Sequence, residues 1–446
     1  MSEVAITPLL DVSAFRSMGS AVSRRVLVQP ENLSSLTLGT ATQDVYFALP
    51  SGRYSMINGQ NSYLMFDSTV TIVTDTHFGG FSNGSASSVI RGLELIIGNQ
   101  SVELLDRYNN FAACVEDFQS KSRSQTMSNI LMGSNATFVK CPSQAASAAD
   151  QVQAVRRYAI PIYSSVLGTL ATQVCPAVDG IRLKLTFETR AIATQEADDD
   201  GITEGDAAIS ACTITNINLV MDYLDVDPVI HSQLIQESGG VFKTHGTGVA
   251  NFQTTLASAA GSSASILIPA RYSSVKSYIT SFRNALTTSG TAGVYNSFAR
   301  YNPHIRSYSY RIDGRQYPSV PIVCHNGTVD LAGEVFIELL KCFDAANAVS
   351  FDCLFNLSQF LSTGSTDTSA SLPKNQDSFL IGVDFEEAVG GGKAVVSGKD
   401  TNSNNTFLEC QFNSSAVMPA LVIDTYALYD NILECNMMTG EVSVSK

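Results

Sequence analysis

Two stretches of this chain run through the same programme. Gly92-Leu93-Glu94-Leu95-Ile96-Ile97 leads through Gly98-Asn99 into Gln100-Ser101-Val102-Glu103-Leu104-Leu105, and a helical run from Arg107 to Phe118 follows. Tyr308-Ser309-Tyr310-Arg311-Ile312 leads through Asp313-Gly314 into Arg315-Gln316-Tyr317-Pro318-Ser319-Val320-Pro321-Ile322, and a helical run from Leu331 to Phe343 follows. Gly-Asn and Asp-Gly between alternating apolar residues mark hairpins, because such turns need positive φ at their centre. The echo predicts two copies of one β-rich unit. A duplicated β-sandwich argues for building material before it argues for an enzyme.

At 446 residues the chain exceeds what one hydrophobic core usually organises, so two domains are expected. Charged residues are 15% and apolar residues 44%, a sparsely charged composition that suits a protein covered by neighbouring subunits. A large monomer with a Ser/Thr/Asn-rich surface has the same composition, so hydropathy alone leaves oligomerisation open. The balance is acidic, with 41 Asp plus Glu against 27 Lys plus Arg. Phosphate neutralisation needs a concentrated basic patch, and the opening segment offers only Arg16, Arg24 and Arg25 against Glu3 and Asp11. Direct sequence-specific nucleic-acid binding is therefore not expected.

Cysteines at 114, 141, 175, 212, 324, 342, 353, 410 and 435 are scattered, odd in number and without a CxxC pair. That pattern fits buried thiols in a reducing compartment better than a zinc site or a disulfide framework. No secretory signal opens the sequence and no apolar run is long enough to cross a bilayer, so synthesis in the cytosol is expected. Sequons such as Asn83, Asn135, Asn326 and Asn413 then stay unmodified.

Pro8–Val22 carries Val12, Phe15, Met18 and Val22 at helical spacing and reads as a short amphipathic helix. It would touch a membrane or an adjacent subunit, or pack on its own domain. Strands are expected at Asp44–Leu49, Tyr63–Thr74, Arg91–Ile97, Ser101–Leu105, Tyr158–Tyr163, Ile181–Thr189 and Ile214–Val226. Pro228 closes that set, a helical connector runs from Val229 to Gly240, and a second set follows. It comprises Ser265–Ile268, Val275–Phe282, Ser307–Ile312, Tyr317–Val323, Phe379–Phe385, Phe407–Phe412 and Leu421–Tyr429. The domain division is 1–40 for an N-terminal arm, 41–228 for the first unit and 229–446 for the second, with 229–245 as connector. Two polar or Gly-rich inserts, Glu196–Asp206 and Val389–Asn405, read as exposed elaborations.

Catalytic constellations are poor. His77, His231, His245, His304 and His325 include no i, i+4 zinc pair. Gly390-Gly391-Gly392-Lys393 is followed by Ala394 where a phosphate loop needs Ser or Thr. No G-x-S-x-G elbow occurs. Asp198, Asp199, Asp200, Glu204 and Asp206 form the one concentrated carboxylate group, a weak calcium candidate that fails the EF-hand spacing because position twelve from Glu196 is Ala207. A solvated acidic loop explains it better. No catalytic residue, cofactor or metal ligand is assigned.

Over roughly residues 40 to 440 the order of features resembles the double jelly-roll major capsid proteins of tailless icosahedral DNA viruses, within them the virophage and polinton-like branch of the adenovirus–tectivirus lineage. Three places carry the resemblance: the hairpin-plus-helix repeat, the paired domain-ending strands Ile217–Asp225 and Leu421–Asp430, and Ile266–Ser277, similar to the segment that opens the second jelly roll. The chain departs from expectation in lacking Trp. The resemblance implies an all-β fold of two tandem eight-stranded jelly rolls with short helices and surface loops. It implies a non-enzymatic major capsid protein that forms a homotrimer, a pseudo-hexameric capsomer tiling an icosahedral shell. Implied partners are neighbouring capsomers, penton and other minor capsid proteins, and an internal membrane touched through the N-terminal segment. The implied location is the virion, assembled in host cytoplasm or nucleus. A β-sandwich carbohydrate-binding or adhesion protein is the alternative from the residues alone, and a β-sandwich glycosidase with two facing carboxylates the enzymatic one.

Overall fold

The computed structural model describes residues 22–72, 77–118, 139–140, 151–152, 155–198, 209–257, 263–285, 297–300, 302–326, 331–343, 357–361, 377–386, 398–413, 420–437 and 441–446. Sixteen strands build two sandwiches. The first eight are β1 (Val22–Val28), β2 (Gln43–Ala48), β3 (Ser55–Ile72), β4 (Ile90–Ile97), β5 (Gln100–Asp106), β6 (Arg156–Pro161), β7 (Ile181–Phe187) and β8 (Ile209–Asp225). The second eight are β9 (Val241–Leu256), β10 (Ser263–Ile268), β11 (Val275–Asn284), β12 (Ile305–Ile312), β13 (Arg315–Val323), β14 (Leu380–Asp384), β15 (Thr406–Phe412) and β16 (Leu421–Asn436).

The first sandwich faces a sheet ordered β1-β8-β3-β6 against one ordered β2-β7-β4-β5, and the second faces β9-β16-β11-β14 against β10-β15-β12-β13. Adding eight to every strand number converts one sandwich into the other. Short strands extend this frame: Leu36–Thr37, Cys175–Pro176 and Gln151–Val152 join the first sheet, and Val442–Ser445 joins β16. All these pairings are antiparallel, which lets one sheet face stay wet. β7 shows the consequence: Ile181, Leu183, Leu185 and Phe187 are buried while Arg182 is exposed.

Both hairpins form where their turn residues demand. Ile97 pairs with Gln100 across a two-residue loop with Gly98 at φ 62°. Ile312 pairs with Arg315, and Asp313 and Gly314 take φ values of 51° and 71°. The second turn has positive φ at both central residues and the first only at Gly98, and both patterns belong to the two-residue turns that match strand twist. Each hairpin feeds a helix, α1 (Tyr108–Asp117) after β5 and, beyond the connector α2 (Pro228–Glu237), α3 (Ala332–Cys342) after β13. α2 starts on Pro228, and Asp227 caps it by accepting from the Val229 amide at 2.8 Å.

Two long strands differ from the sequence reading. Val22–Val28, within the stretch assigned to an arm, is β1 and pairs with Leu219–Asp225 of β8. Val22 thus begins a strand rather than ending a helix; the rest of the expected Pro8–Val22 helix lies outside the described residues. Val241–Leu256, partly assigned to the connector and otherwise unassigned, is β9 and pairs with β16 along its full length. Of the expected inserts, Glu196–Asp198 ends a strand from Thr194 paired with His77–Phe81, and 398–405 is irregular. The remaining insert residues are outside the described set.

Candidate functional site: a polar seam between the sandwiches

Where the two sandwiches meet, the contact is polar, buried and specific. α1 lies against the outer face of the β16–β11 sheet and is buried on nearly every side. The Asn110 amide nitrogen donates to Tyr426 Oη at 2.8 Å and Ser281 Oγ at 3.2 Å, with Asp424 Oδ2 at 3.4 Å. Tyr426 Oη in turn donates to the Arg107 carbonyl at 3.2 Å, and the Phe111 and Tyr426 rings lie 5.3 Å apart. Asp424 is buried and takes both Nε (2.9 Å) and Nη2 (2.5 Å) of Arg283, plus the Gln253 amide at 2.8 Å. Burial works against the Arg283 charge, yet Asp424 beside it raises its pKa. A buried carboxylate with a two-pronged guanidinium and an amide has its acceptor capacity met.

A second group of contacts runs along β9. His245 Nε2 sits 2.9 Å from Asp430 Oδ1, and Ser274 Oγ donates to Asp430 Oδ2 at 2.5 Å. Burial raises the Asp430 pKa, but those two hydrogen bonds and Lys276 outweigh it and hold the carboxyl below its usual value. The first sandwich reaches this strand through the segment before β7. Thr172 Oγ1 donates to the His245 carbonyl at 2.5 Å, the Thr247 amide donates to the Leu170 carbonyl at 3.0 Å, and Asn431 donates to Ser165 Oγ at 2.8 Å. Gly246 is required here, since a Cβ would meet the Ser165 carbonyl oxygen at 2.0 Å.

Glu103, fully buried on β5, accepts from Ser164 Oγ at 2.6 Å and the Ser165 amide at 3.1 Å. Burial pushes its pKa up to about 7, although those hydrogen bonds and Lys446 pull it down. Glu116 of α1 accepts from Ser87 Oγ at 2.6 Å and is likewise raised to about 7 by burial, against the pull of Ser87, Ser85 and Arg300. Arg300, buried in the second sandwich, forms an ion pair with Asp117 at the end of α1. Between the sandwiches a cavity of about 60 Å³ is lined by Arg107, Asn109, Gln253 and Arg283. That holds a water or two and is far below the roughly 300 Å³ where small-molecule sites begin.

The residues singled out from sequence do not converge. His231 is buried edge-on to Tyr54 with ring centroids 5.3 Å apart, and burial, then Arg53, lowers its pKa. His245 joins the seam, while His77 opens a strand of a separate three-stranded sheet. Among the described residues no group of three His, Cys, Asp or Glu is placed to hold a metal ion. Asp198 ends its strand; Asp199, Asp200, Glu204, Asp206 and Gly390–Lys393 lie outside the described residues. The described cysteines are all buried. The seam residues went unread because Asn110, Asp424 and Tyr426 belong to no motif and meet only across three hundred residues of chain.

No protein-family model and no curated protein matches the sequence. Solved structures match along nearly the whole chain. A quasi-atomic model of the PBCV-1 virus capsid has a TM-score of 0.60 at 11% identity, covering 96% of this chain and 97% of that one. The cryo-EM structure of the Sputnik virophage gives 0.58 at 9% identity over 100% and 94%. The mavirus major capsid protein gives 0.55 at 11% over 94% and 90%. With the strand orders of both sandwiches, these likenesses establish the fold: the chain is a double jelly roll of the kind seen in viral major capsid proteins.

Proposed function

We propose that this chain is a structural major capsid protein whose activity is assembly. Three copies form a capsomer with six similar lobes, and capsomers tile an icosahedral shell. The observation that carries this reading is the eight-strand order repeated within one chain, its two halves held side by side by the Asn110–Tyr426–Asp424 seam. Two like blocks per chain, three times over, give a pseudo-hexagonal outline suited to a flat facet. The full-length likeness to the PBCV-1, Sputnik and mavirus structures supports it. The two units divide near residue 228, the virion is the site of action after assembly in host cytoplasm or nucleus, and penton and other minor capsid proteins are the further partners.

The test is the solution mass of the purified chain by light scattering, with negative-stain images of the same fraction. Three copies of 47.7 kDa, about 143 kDa, with three- or six-lobed outlines are expected; a compact 47.7 kDa monomer would overturn the reading. The N-terminal segment is proposed to contact an internal membrane or an adjacent subunit. Removing residues 1–21, which stops short of β1, should leave a folded trimer with impaired assembly or membrane attachment. Unchanged assembly and attachment would remove that role.

A further inference from the structure

A segment of the first sandwich runs antiparallel beside β9 of the second. The Thr247 amide donates to the Leu170 carbonyl at 3.0 Å, Ala171 bridges to Gly246, and the Thr172 amide donates to the His245 carbonyl at 3.3 Å. Thr244 Oγ1 then donates to the Val174 carbonyl at 3.4 Å, and Cys175 comes next. Cys175 pairs with Ile57 of β3, so it belongs to the first sandwich while the residues before it are fastened to the second. Following β9 in the same direction leads to Phe242, whose ladder partner on β16 is Cys435. One cysteine from each half of the chain thus arrives at the same end of the seam.

Both side chains are 0% exposed and their thiols share a hydrogen bond; Cys175 Sγ also stands 3.5 Å from the Pro176 carbonyl. The two thiols are not equivalent. The bond from Cys175 lowers the Cys435 pKa, while the same bond and burial raise that of Cys175. Burial pushes the thiols of Cys114, Cys212, Cys342 and Cys410 up. Cys435 therefore carries the thiolate character that nucleophilic sulfur needs, and Cys175 holds a proton beside it. Cys435 is also the penultimate residue of β16, and the strand that covers its other edge, Val442–Ser445, is four residues long with alternate residues exposed. Short terminal strands open locally at little cost, which admits a small oxidant.

We propose that Cys175 and Cys435 are a cross-link site, converted by a peroxide-class oxidant to a disulfide that ties the two sandwiches together covalently. The Cys435 thiolate attacks one oxygen of hydrogen peroxide, the O–O bond breaks, and the hydroxide released takes up the proton that Cys435 gave up, leaving a sulfenic acid and water. Cys175 sulfur then attacks Cys435 Sγ, the S–O bond breaks, and the Cys175 proton leaves with the hydroxyl as a second water. Two thiols are oxidised to one disulfide and one peroxide is reduced to two waters. The site rests on the seam and is independent of the assembly reading. Under reducing conditions the thiols stay free; in oxidising surroundings the link closes a long loop and takes freedom chiefly from the unfolded chain.

The test uses the purified full chain, reduced, freed of reductant, titrated with hydrogen peroxide, alkylated in denaturant and mapped by peptide mass spectrometry. The expected product is a chain still of 47.7 kDa in which the peptides of Cys175 and Cys435 are joined and are released by dithiothreitol. Oxidation should raise the melting temperature of the wild type by several degrees. Cys175→Ser should abolish that rise and leave Cys435 as sulfenic acid, whereas Cys212→Ser should keep both the link and the rise. A lasting sulfenic acid at Cys435 in the wild type, a link between other cysteines, a link that forms only in denaturant, or no link at all would overturn the proposal. The peptide map is read on the wild type, so it decides the matter whether or not either variant folds. A monomeric chain that still forms the link would remove the assembly reading alone.

Discussion

Asn110 of the first sandwich and Tyr426 of the second share a 2.8 Å hydrogen bond between side chains 316 positions apart in sequence. Both are buried, and the tyrosine hydroxyl passes its own proton donation back to the Arg107 carbonyl beside Asn110. The closed loop of donors ties the left-handed entry of α1, with Arg107 at φ 54°, to the closing strand of the other sandwich.

Asn110→Ala should cost about 1–3 kcal/mol, because it leaves Tyr426 and Ser281 short of a buried partner. Thermal unfolding should shift down by several degrees, and amide exchange at β16 should speed up. An unchanged melting temperature would show that the seam carries no stability.

Arg283→Met should be more damaging, on the order of 3–5 kcal/mol, since it strands the Asp424 charge in a site with 0% exposure. The double variant Arg283→Met/Asp424→Leu should recover much of that loss. Urea midpoints of the wild type, both single variants and the double variant measure the coupling directly.

Gly246→Ala places a methyl where the Ser165 carbonyl oxygen stands 2.0 Å away. Backbone must move on one side of the seam, a cost of about 1–3 kcal/mol. Gly314→Val has open space around it but a φ of 71°, so its penalty, roughly 1–2 kcal/mol, comes from backbone conformation alone. Denaturant titrations should therefore show both variants destabilised, and Gly314→Asn, which tolerates positive φ, largely restored.

Glu103 and Glu116 give a signed pH dependence. Their folded pKa values of about 7 stand above the ordinary 4.5, so the folded state holds protons that the unfolded chain releases. Their stabilisation is complete below pH 4.5 and is lost as pH rises towards 7, on the order of 3 kcal/mol for each group. The variant Glu103→Gln/Glu116→Gln should lose stability less steeply than wild type between those limits. Parallel curves in a pH series of melts would contradict the assignment.

Hairpins and one-sided strands were legible in the sequence because their causes are local. Asp313-Gly314 specifies its turn by backbone sterics, and Ile181–Phe187 specifies its inner face by alternation, whatever lies elsewhere. The repeat of hairpin and helix announced two units for the same reason. β1 and β9 were not legible, since Val22–Val28 carries two adjacent arginines and Val241–Leu256 is interrupted by Gly246 and Gly248. Those glycines make sense only beside the Ser165 carbonyl and the Tyr429 ring, neighbours supplied by distant chain.

The sequence by itself determined that the chain is β-rich, duplicated and without a marked catalytic motif, because turn chemistry, side-chain periodicity and residue spacing act over a few residues. Tertiary structure decided which strand faces which, and that a helix as polar as Tyr108–Asp117 is buried between two sandwiches rather than lying on a surface. The physical reason is that a buried polar group is tolerable only when its partners arrive, and the partners of Asn110 come from the other half of the chain.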